Sequence, residues 1–394
     1  MRLIVEDKLC ESQCGFRPGR STVDQISALR VFLEKKWEFN QDQHLCFLDL
    51  EKAFDRVPRQ QLWEVLQEYG VPEPLLRAIK STYKDQKSTV AGGETPFSIN
   101  TGVRLGSVLS PILFIVYIDK VISQIDQRNF LEECFGYADD IVEVTDSKES
   151  LENKMRLWDY NLTQQGLKLN YTKTEYMVVG RNQNDEELSL ASATIRRNNT
   201  YTYLGSVITS DGKMEPEINN RIAKYSQNVG AMYPLLRDRN IPRKVKILMF
   251  NSILKPILLY GCETWVLTEK LKSKIQAAEM RALRLIFGVT RRERLRNTTI
   301  REALGVEPVI LQIERCQLRW FGHVHRMPEY RDVRRIVEWV PEGRRRRGRP
   351  RLRWKDGINK ILERCGMEYN DAIDICQDRL EWRRTIRNLS TDRQ

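Results

Sequence analysis

Hydrophobic and polar positions divide the chain into a mixed first half and a helical second half. Apolar side chains recur at helical spacing in residues 23–39, whereas residues 44–50 and 134–145 contain the short apolar runs of buried strands. A long apolar run at residues 105–118 follows a glycine-punctuated loop and enters a helix through Pro111. From about residue 215 onward the pattern is mostly helical. The chain is therefore predicted to be α+β up to about residue 210 and helical beyond it.

Two shorter segments predict further β-structure. Residues 88–100 are predicted to form a hairpin whose turn lies near Gly92 and Gly93, because adjacent glycines allow the backbone conformations of tight turns. Residues 201–209 are predicted to form one strand that enters a turn. Both segments lie in the region predicted to be α+β.

Positive charge is concentrated in the last quarter of the chain. Residues 291–394 contain 26 Lys and Arg against 16 Asp and Glu, which accounts for +10 of the net charge of +12. The densest part, residues 344–355, has eight positive charges and no acid. We predict that it binds nucleic-acid phosphates, with Trp339 and Trp354 adding base stacking. A solvated basic segment, such as a nuclear import signal, is the alternative. The arginines concerned are Arg344, Arg345, Arg346, Arg347, Arg349 and Arg351.

The cysteines and the N-terminal sequence favour an intracellular location. The eight cysteines form no C-x-x-C pair, no run is long enough to span a bilayer, and the N-terminus lacks the apolar core of a signal peptide. We expect free thiols in the nucleus, the cytoplasm or both, and neither secretion nor a membrane partner. His323 and His325 follow Cys316, but a zinc site needs about four ligands, so we expect all three to be structural. The oligomeric state stays open.

Three aspartates stand at the ends of predicted buried strands. Asp49 lies near the end of the 44–50 run, and Asp139 and Asp140 lie at the tip of the 134–145 hairpin. Adjacent carboxylates repel each other and are costly near a core unless a cation neutralises them. If the strands are neighbours, the three carboxylates converge on a site for Mg²⁺, with Mn²⁺ as the alternative ion. A polar turn is the ordinary explanation of an isolated Asp-Asp pair. Here the apolar flanks and the order of other motifs favour the metal site.

Six segments of the chain occur in an order that is specific to one family. They are QCGFRPGRSTVDQI, FLDLEKAFDRV, GVRLGSVLSP, YADD, GLKLNYTKTEYM and YTYLGSVIT. In this order they resemble the reverse transcriptases of non-LTR (LINE-type) retrotransposons. The resemblance covers residues 13 to about 210, and the helical region and the tail LRWFGHVHRM…GRPRLRW are similar to such elements as well. YADD alone is a weak signal, whereas six ordered segments are a strong one.

The resemblance implies a right-hand polymerase fold with an α+β palm, partial fingers, a helical thumb and a basic C-terminal region. The expected divisions are partial fingers at 1–44, the palm at 45–210, a helical thumb or connection at 211–290 and a nucleic-acid-binding region at 291–394. The implied activity is RNA-directed DNA polymerisation, in which dNTPs are added to a primer 3′-end by two-metal nucleotidyl transfer. The implied partners are an RNA template, a DNA primer or target, and dNTPs.

The resemblance also implies roles for particular residues. Asp49, Asp139 and Asp140 would be catalytic metal ligands, and Lys173 would protonate the leaving pyrophosphate. Contacts with the nucleotide or template are implied for Phe54, Leu105, Gly106 and Arg17, with Gly102 also allowing close backbone approach. The ring of Phe54 would clash with a ribose 2′-hydroxyl and so select dNTPs, which argues against an RNA polymerase. A plain core phenylalanine and a surface lysine are the alternatives for Phe54 and Lys173.

Two departures from the family pattern bear on activity. The family usually carries Gln before the glycine of its third segment, where this chain has Leu105, and leucine cannot hydrogen-bond a template or nucleotide. The chain begins inside the expected fingers and contains no endonuclease segment, so we expect a shortened copy of such an element. The alternative function is a catalytically inactive remnant that still binds nucleic acid.

Overall fold

The structure is a computed structural model that describes residues 1–89, 95–126, 133–181, 187–190, 193–345, 348 and 350–389. It divides into two compact units, Met1–Leu204 with Trp339–Arg346 and Gly205–Glu338 with Arg347–Gln394. Helices account for 55% of the structure and strands for 11%. The mixed α+β class predicted from the sequence is therefore confirmed.

The first unit contains the elements that surround the acidic residues. Its helices are α1 (Arg2–Val5), a 3₁₀ turn (Glu6–Lys8), α2 (Thr22–Glu38), α3 (Ala53–Arg56), α4 (Arg59–Glu68), α5 (Glu73–Thr82), α6 (Ser110–Ile125) and α7 (Lys148–Gln164). Its strands are β1 (Gln43–Leu48), β2 (Lys87–Ser88), β3 (Phe97–Ser98), β4 (Glu133–Tyr137), β5 (Asp140–Thr145), β6 (Glu175–Val179), β7 (Leu188–Ser189), β8 (Thr194–Ile195) and β9 (Thr200–Tyr203). The long helices match the helical periodicity of the sequence.

The central sheet of the first unit is antiparallel, with strand order β4-β5-β1-β6. Strand β1 is hydrogen-bonded on both sides, and most of its side chains are buried, which explains why its sequence is apolar rather than alternating. Its pairing with β5 places Leu48 opposite Ile141, and the β4–β5 pairing places Tyr137 opposite Asp140. The end of β1 and the start of β5 therefore lie at one edge of the sheet.

Helix α6 fills the hydrophobic core beside this sheet. Its residues from Ile112 to Ile118 are buried in one cluster with residues of β1, α4 and α7, which accounts for the long apolar run in the sequence. Asp119 follows this run and is fully buried. Its carboxylate accepts hydrogen bonds from the Tyr69 hydroxyl (2.7 Å) and the Cys10 amide (2.9 Å), and burial raises its pKa. These bonds fasten the N-terminal segment to the core.

The shorter β-segments differ in part from the prediction. Strands β2 and β3 pair as an antiparallel hairpin, and the predicted turn residues Gly92 and Gly93 lie outside the described residues. The predicted strand that enters a turn within residues 201–209 corresponds to β9 and the turn after Tyr203, and a second strand that was not predicted follows, β10 (Ser206–Thr209). Leu204 and Gly205 between them adopt left-handed φ angles of 46° and 79°. Such angles end an extended strand, and the sequence pattern alone did not reveal them.

The second unit is mainly helical. Besides β10 it contains α8 (Glu215–Ala231), α9 (Tyr233–Arg237), α10 (Arg243–Met249), a π-helical segment (Phe250–Leu254), α11 (Lys255–Leu259), a 3₁₀ turn (Cys262–Thr264), α12 (Glu269–Phe287), a 3₁₀ turn (Arg291–Glu293), α13 (Asn297–Leu304), α14 (Val309–His325), α15 (Asp332–Glu338), α16 (Trp354–Arg364), α17 (Tyr369–Ile375) and α18 (Arg379–Arg387). A second buried cluster, with Ile218, Leu283 and Ile313 among its members, joins α8, α12 and α14. The predicted thumb region and the helices that follow it thus belong to one unit.

Two further findings bear on the expectations about location. All eight cysteines are free thiols. Among the described helices, none combines the length and the apolar character needed to cross a bilayer.

Candidate active site

The pairing of β1 with β5 brings Asp49 and Asp140 to the same edge of the sheet. The paired register of β1 and β5 ends at Leu48 opposite Ile141, and Asp49 and Asp140 are the next residues of the two segments. The Asp49 amide donates to Thr174 Oγ1 (3.3 Å), and its carbonyl accepts from the Asn170 amide (2.8 Å). The backbone of Asp49 is therefore held in place beyond the end of the strand.

Asp139 lies in the two-residue turn that joins β4 to β5. The other turn residue, Ala138, has a left-handed φ of 59°, which the tight hairpin turn requires and which suits glycine or asparagine better than alanine. A left-handed alanine costs roughly 1–2 kcal/mol. Tertiary contacts must offset that cost, and the structure shows where they come from.

The side chain of Gln13 clamps this turn. Gln13 is completely buried; its Nε2 donates to the Ala138 carbonyl (3.1 Å), and its Oε1 accepts from the Ala138 amide (2.7 Å) and the Gly15 amide (2.8 Å). A Cβ on Gly15 would lie 2.3 Å from the Ala138 nitrogen, so only glycine allows this approach. Backbone bonds between Ser12, Cys14 and Gly136 extend the contact (2.8 Å each). The segment QCG therefore supports the turn that carries Asp139.

Sequence reasoning did not identify this role of Gln13. The segment QCGFRPG was interpreted only through its resemblance to a family motif. A buried glutamine leaves no trace in hydrophobic periodicity, and its partner Ala138 is 125 residues away in the chain. The sequence feature that could have indicated this role is Gly15, a small residue two positions after the amide side chain of Gln13.

The sheet edge that carries Asp49, Asp139 and Asp140 is called the acidic edge below. Its negative charge is only partly compensated by the protein. Burial, and then the carboxylate of Asp49, raises the pKa of Asp139. Burial and the carboxylates of Asp139 and Asp49 raise the pKa of Asp140 to about 6. The pKa of the Tyr201 hydroxyl rises to about 12 because of burial and the nearby carboxylates of Asp140, Glu175 and Asp49. The three aspartates therefore act on one another electrostatically, as their convergence would require.

The donor chemistry of this edge fits a hard divalent cation, whose preferred ligands are carboxylate oxygens. A bound cation would also remove the repulsion that raises the pKa of Asp140. Within the described residues, the one set of three His, Cys, Asp or Glu side chains whose ligand atoms all lie within 4.8 Å of one another is elsewhere, at Cys262, Glu263 and Cys316. Asp49 and Asp139 raise the pKa of Asp140, but the ligand atoms of the three aspartates do not all lie within 4.8 Å of one another.

The residues predicted to contact nucleotide or template have diverse environments. Phe54 is half-buried on α3 and stacks on Phe114 of α6, with ring centroids 4.4 Å apart, so its ring is fixed by the core. Gly102 has a φ of +81°, and an added Cβ would lie 2.7 Å from the Asp55 carbonyl oxygen. Gly106 has a φ of +80° with open space around it. Leu105 is 73% exposed.

Arg17 and Lys173 differ sharply in exposure. Arg17 is buried, and its guanidinium bonds Glu6 Oε1 (2.9 Å) and the carbonyls of Cys10 (2.5 Å) and Gln13 (2.8 Å). Since its donors face protein acceptors, this geometry favours a structural role for Arg17 over a nucleotide contact. Lys173 is exposed, and its backbone lies next to Thr174, whose hydroxyl contacts Asp49.

The basic segment is partly engaged with the protein itself. Arg344 is exposed, Arg345 forms an ion pair with Glu38 (3.2 Å), and Arg351 donates to the Asp211 carbonyl (2.6 Å). The predicted phosphate contacts of Arg346, Arg347 and Arg349 lie outside the described residues.

The two tryptophans near this segment pack inside the protein. Trp339 stacks on Phe32 at a centroid distance of 5.6 Å, and the buried Trp354 donates from Nε1 to the Glu263 carbonyl (2.8 Å). Both rings are occupied by protein contacts, so the expectation that they stack on bases is not supported by their positions.

Comparisons with known proteins identify the family of this chain. Residues 1–208 match the family model of the reverse transcriptase (RNA-dependent DNA polymerase). Because the match covers more than half of the chain, this protein belongs to the reverse transcriptase family. Enzymes of this family generally use divalent metal ions.

Its relatives are proteins of transposable elements. The chain is 27% identical over 271 residues to a transposon-derived protein of Caenorhabditis elegans, covering 65% of this chain and 95% of that protein. It is 28% identical over 295 residues to the RNA-directed DNA polymerase from mobile element jockey of Drosophila melanogaster, covering 70% of this chain and 32% of that protein. The chain thus spans about a third of the jockey protein. The resemblance to non-LTR retrotransposon reverse transcriptases is confirmed.

Solved structures of telomerase also align with this chain. The apo telomerase from Candida tropicalis truncated from its C-terminal domain is 16% identical, with a TM-score of 0.42, and the alignment covers 53% of this chain and 42% of that one.

Proposed function

We propose that this protein is an RNA-directed DNA polymerase that adds dNTPs to a primer 3′-end on an RNA template. The observation that carries the proposal is the acidic edge formed by Asp49, Asp139 and Asp140 inside the family-matching region. In a right-hand arrangement, the four-stranded sheet with α6 and α7 is the palm. Residues 1–44 are partial fingers, the helices of residues 211–290 are the thumb or connection, and the basic region of residues 291–394 contacts nucleic acid.

In this proposal Asp49, Asp139 and Asp140 hold Mg²⁺, with Mn²⁺ as the alternative ion. Bound divalent ions supply activation of the primer 3′-hydroxyl and stabilisation of the leaving pyrophosphate. The contribution of the chain is to keep the carboxylates at one edge. The β1–β5 register supports Asp49 and Asp140, and the Gln13 clamp on Ala138 supports Asp139.

Other side chains would select and position the substrates. Phe54, fixed by its stack on Phe114, would block a ribose 2′-hydroxyl and so favour dNTPs. Lys173 would donate a proton to the leaving pyrophosphate. Leu105 would meet the template or nucleotide with an apolar side chain, so it would slow the reaction by removing a hydrogen bond rather than abolish it.

One observation favours a second candidate, a remnant that binds nucleic acid without catalysis. Leu105 stands exposed where the family usually has a glutamine, so a substrate contact is missing. Exposed arginines such as Arg344 would still attract phosphates. The two candidates share nucleic-acid binding and differ in primer extension.

The deciding experiment is primer extension on an RNA template with the purified chain, in Mg²⁺ and separately in Mn²⁺. We expect extension by the wild type, and a loss of roughly 10²–10³-fold in Asp140→Asn, because metal stabilisation contributes several kcal/mol. Asp146→Asn is the matched control, since Asp146 is exposed at the other end of β5. RNA binding without any extension would identify the non-catalytic remnant, and equal loss in both variants would refute the assignment of Asp140.

A further inference from the structure

Two cysteines and a glutamate from distant parts of the chain meet inside the second unit. Cys262 and Glu263 lie in the 3₁₀ turn Cys262–Thr264, and Cys316 lies on α14, which packs against that turn. The ligand atoms of the three side chains all lie within 4.8 Å of one another. Four ligands around a tetrahedral zinc ion are separated by roughly 3.5–3.8 Å, given Zn–S and Zn–O bonds of about 2.3 and 2.0–2.2 Å. Small side-chain adjustments would therefore bring these atoms onto one ion.

The backbone that carries these ligands is held from several sides. Gln317, the neighbour of Cys316, donates from Nε2 to the carbonyls of Cys262 (3.3 Å) and Trp265 (2.8 Å). Trp354 donates to the Glu263 carbonyl (2.8 Å). These bonds tie α14 and α16 to the turn, so the ligands are positioned before any ion binds.

The glutamate has an oxygen without a partner. Within the described part of the chain, Glu263 Oε2 is buried and accepts no hydrogen bond. A buried unsatisfied carboxylate oxygen is costly, and in native proteins it calls for a ligand such as an ion.

The local charges suit thiolate ligands. Arg319 and Lys255 add positive charge near Cys316. Two thiolates and a carboxylate around a divalent ion carry a net charge of −1, and these two cations would offset it.

We propose that Cys262, Glu263 and Cys316 bind one thiophilic divalent ion of the zinc class, with water in the fourth position. The site would be structural, joining the turn after α11 to α14 within the second unit. It is independent of the proposed polymerase activity. The nearby histidines are engaged elsewhere: His323 packs on Trp320, and His325 is hydrogen-bonded with Tyr369 (3.3 Å).

The test measures metal content and spectra of the full chain kept under reducing conditions. The protein is stripped with a chelator, reloaded with Zn²⁺ and counted for bound zinc; Co²⁺ replaces Zn²⁺ for thiolate-to-metal absorption. We expect one ion per chain in the wild type and a thermal midpoint that falls on chelation. Cys316→Ser should lose the ion, and the isosteric Glu263→Gln should bind it roughly tenfold more weakly or worse.

Cys365→Ser is the control, because Cys365 is a half-buried thiol at the end of α16 outside the cluster. It should bind the ion as the wild type does. Absence of zinc and cobalt from the folded wild type would overturn the proposal, and so would binding that survives both Cys316→Ser and Glu263→Gln. A Cys262–Cys316 disulfide found by peptide mass analysis of the reduced preparation would also overturn it, since that bond consumes both thiolates.

Discussion

Replacement of Gln13 by methionine tests whether the N-terminal segment holds the acidic turn in place. Methionine has about the same length as glutamine and creates no large cavity, so the substitution mainly removes hydrogen bonds. Three bonds disappear: one to the Ala138 carbonyl and two from the amides of Ala138 and Gly15. The turn then keeps its left-handed alanine without its main support.

The size of the effect follows from the groups left behind. Gln13 is fully buried, so the two amides lose their partner in a place that water does not reach. Each unsatisfied buried donor costs about 1–3 kcal/mol, which gives roughly 2–6 kcal/mol of destabilisation for the pair. Domains are stable by about 5–15 kcal/mol, so we expect the first unit to remain folded but weakened.

The assay combines a local and a global measurement. Hydrogen–deuterium exchange of the peptide spanning residues 133–145 should show faster exchange at the turn in Gln13→Met, and urea unfolding should show lower stability. Gln60→Met is the matched control, because Gln60 is exposed on α4 and its side chain bonds only Glu64 among the described residues (3.0 Å). Primer extension should fall in Gln13→Met and not in the control.

An unchanged exchange rate at the turn would refute the clamp, even if overall stability fell. A loss of stability with intact turn protection would mean that Gln13 matters for packing of the N-terminal segment and not for Ala138.

Four further outcomes are expected. The pKa of Asp140 is raised to about 6, so Mn²⁺ affinity at the acidic edge should increase as the pH rises through about 6. The metal-free protein should lose stability as the pH rises from about 4 to about 6, because the folded state binds the proton of Asp140 more tightly than the unfolded state does; Asp140→Asn should reduce this dependence. Leu105→Gln should raise the rate of primer extension about ten- to a hundredfold. Because Leu105 is exposed, the substitution should change the stability by no more than about 0.5 kcal/mol. Equal extension rates would show that leucine is tolerated at this position. RNA affinity should fall steeply with salt concentration. The double substitution Arg344→Gln and Arg345→Gln should reduce the slope of log affinity against log salt concentration by about one unit per lost phosphate contact. An unchanged slope would exclude both arginines from the RNA interface.

Local patterns were sufficient for most elements of the first unit. The helix predicted at residues 23–39 is α2, and its N-cap Ser21 accepts from the Asp24 amide (3.3 Å) as a capping residue does. The apolar runs became β1, β4, β5 and α6 because burial on all sides leaves no polar face to show alternation. The second strand after Leu204 escaped prediction because a left-handed leucine has no sequence signature.

The assignment of Arg17 shows where family resemblance reaches its limit. A motif identifies a position, but it does not tell whether the side chain faces a substrate or its own backbone. In the fold, Arg17 is surrounded by Glu6 and by carbonyl oxygens of its own segment, which satisfy a guanidinium as well as a phosphate would.

The sequence by itself identified the family, the kinds of element along the chain and the three aspartates as candidate metal ligands, because each of these depends on short segments or on their order. Only the tertiary structure decided which distant groups meet. Gln13 reaches Ala138 across 125 positions, and Cys316 reaches Cys262 across the whole of α12 and α13. Such contacts depend on how packed elements bring side chains together, and no local periodicity records that.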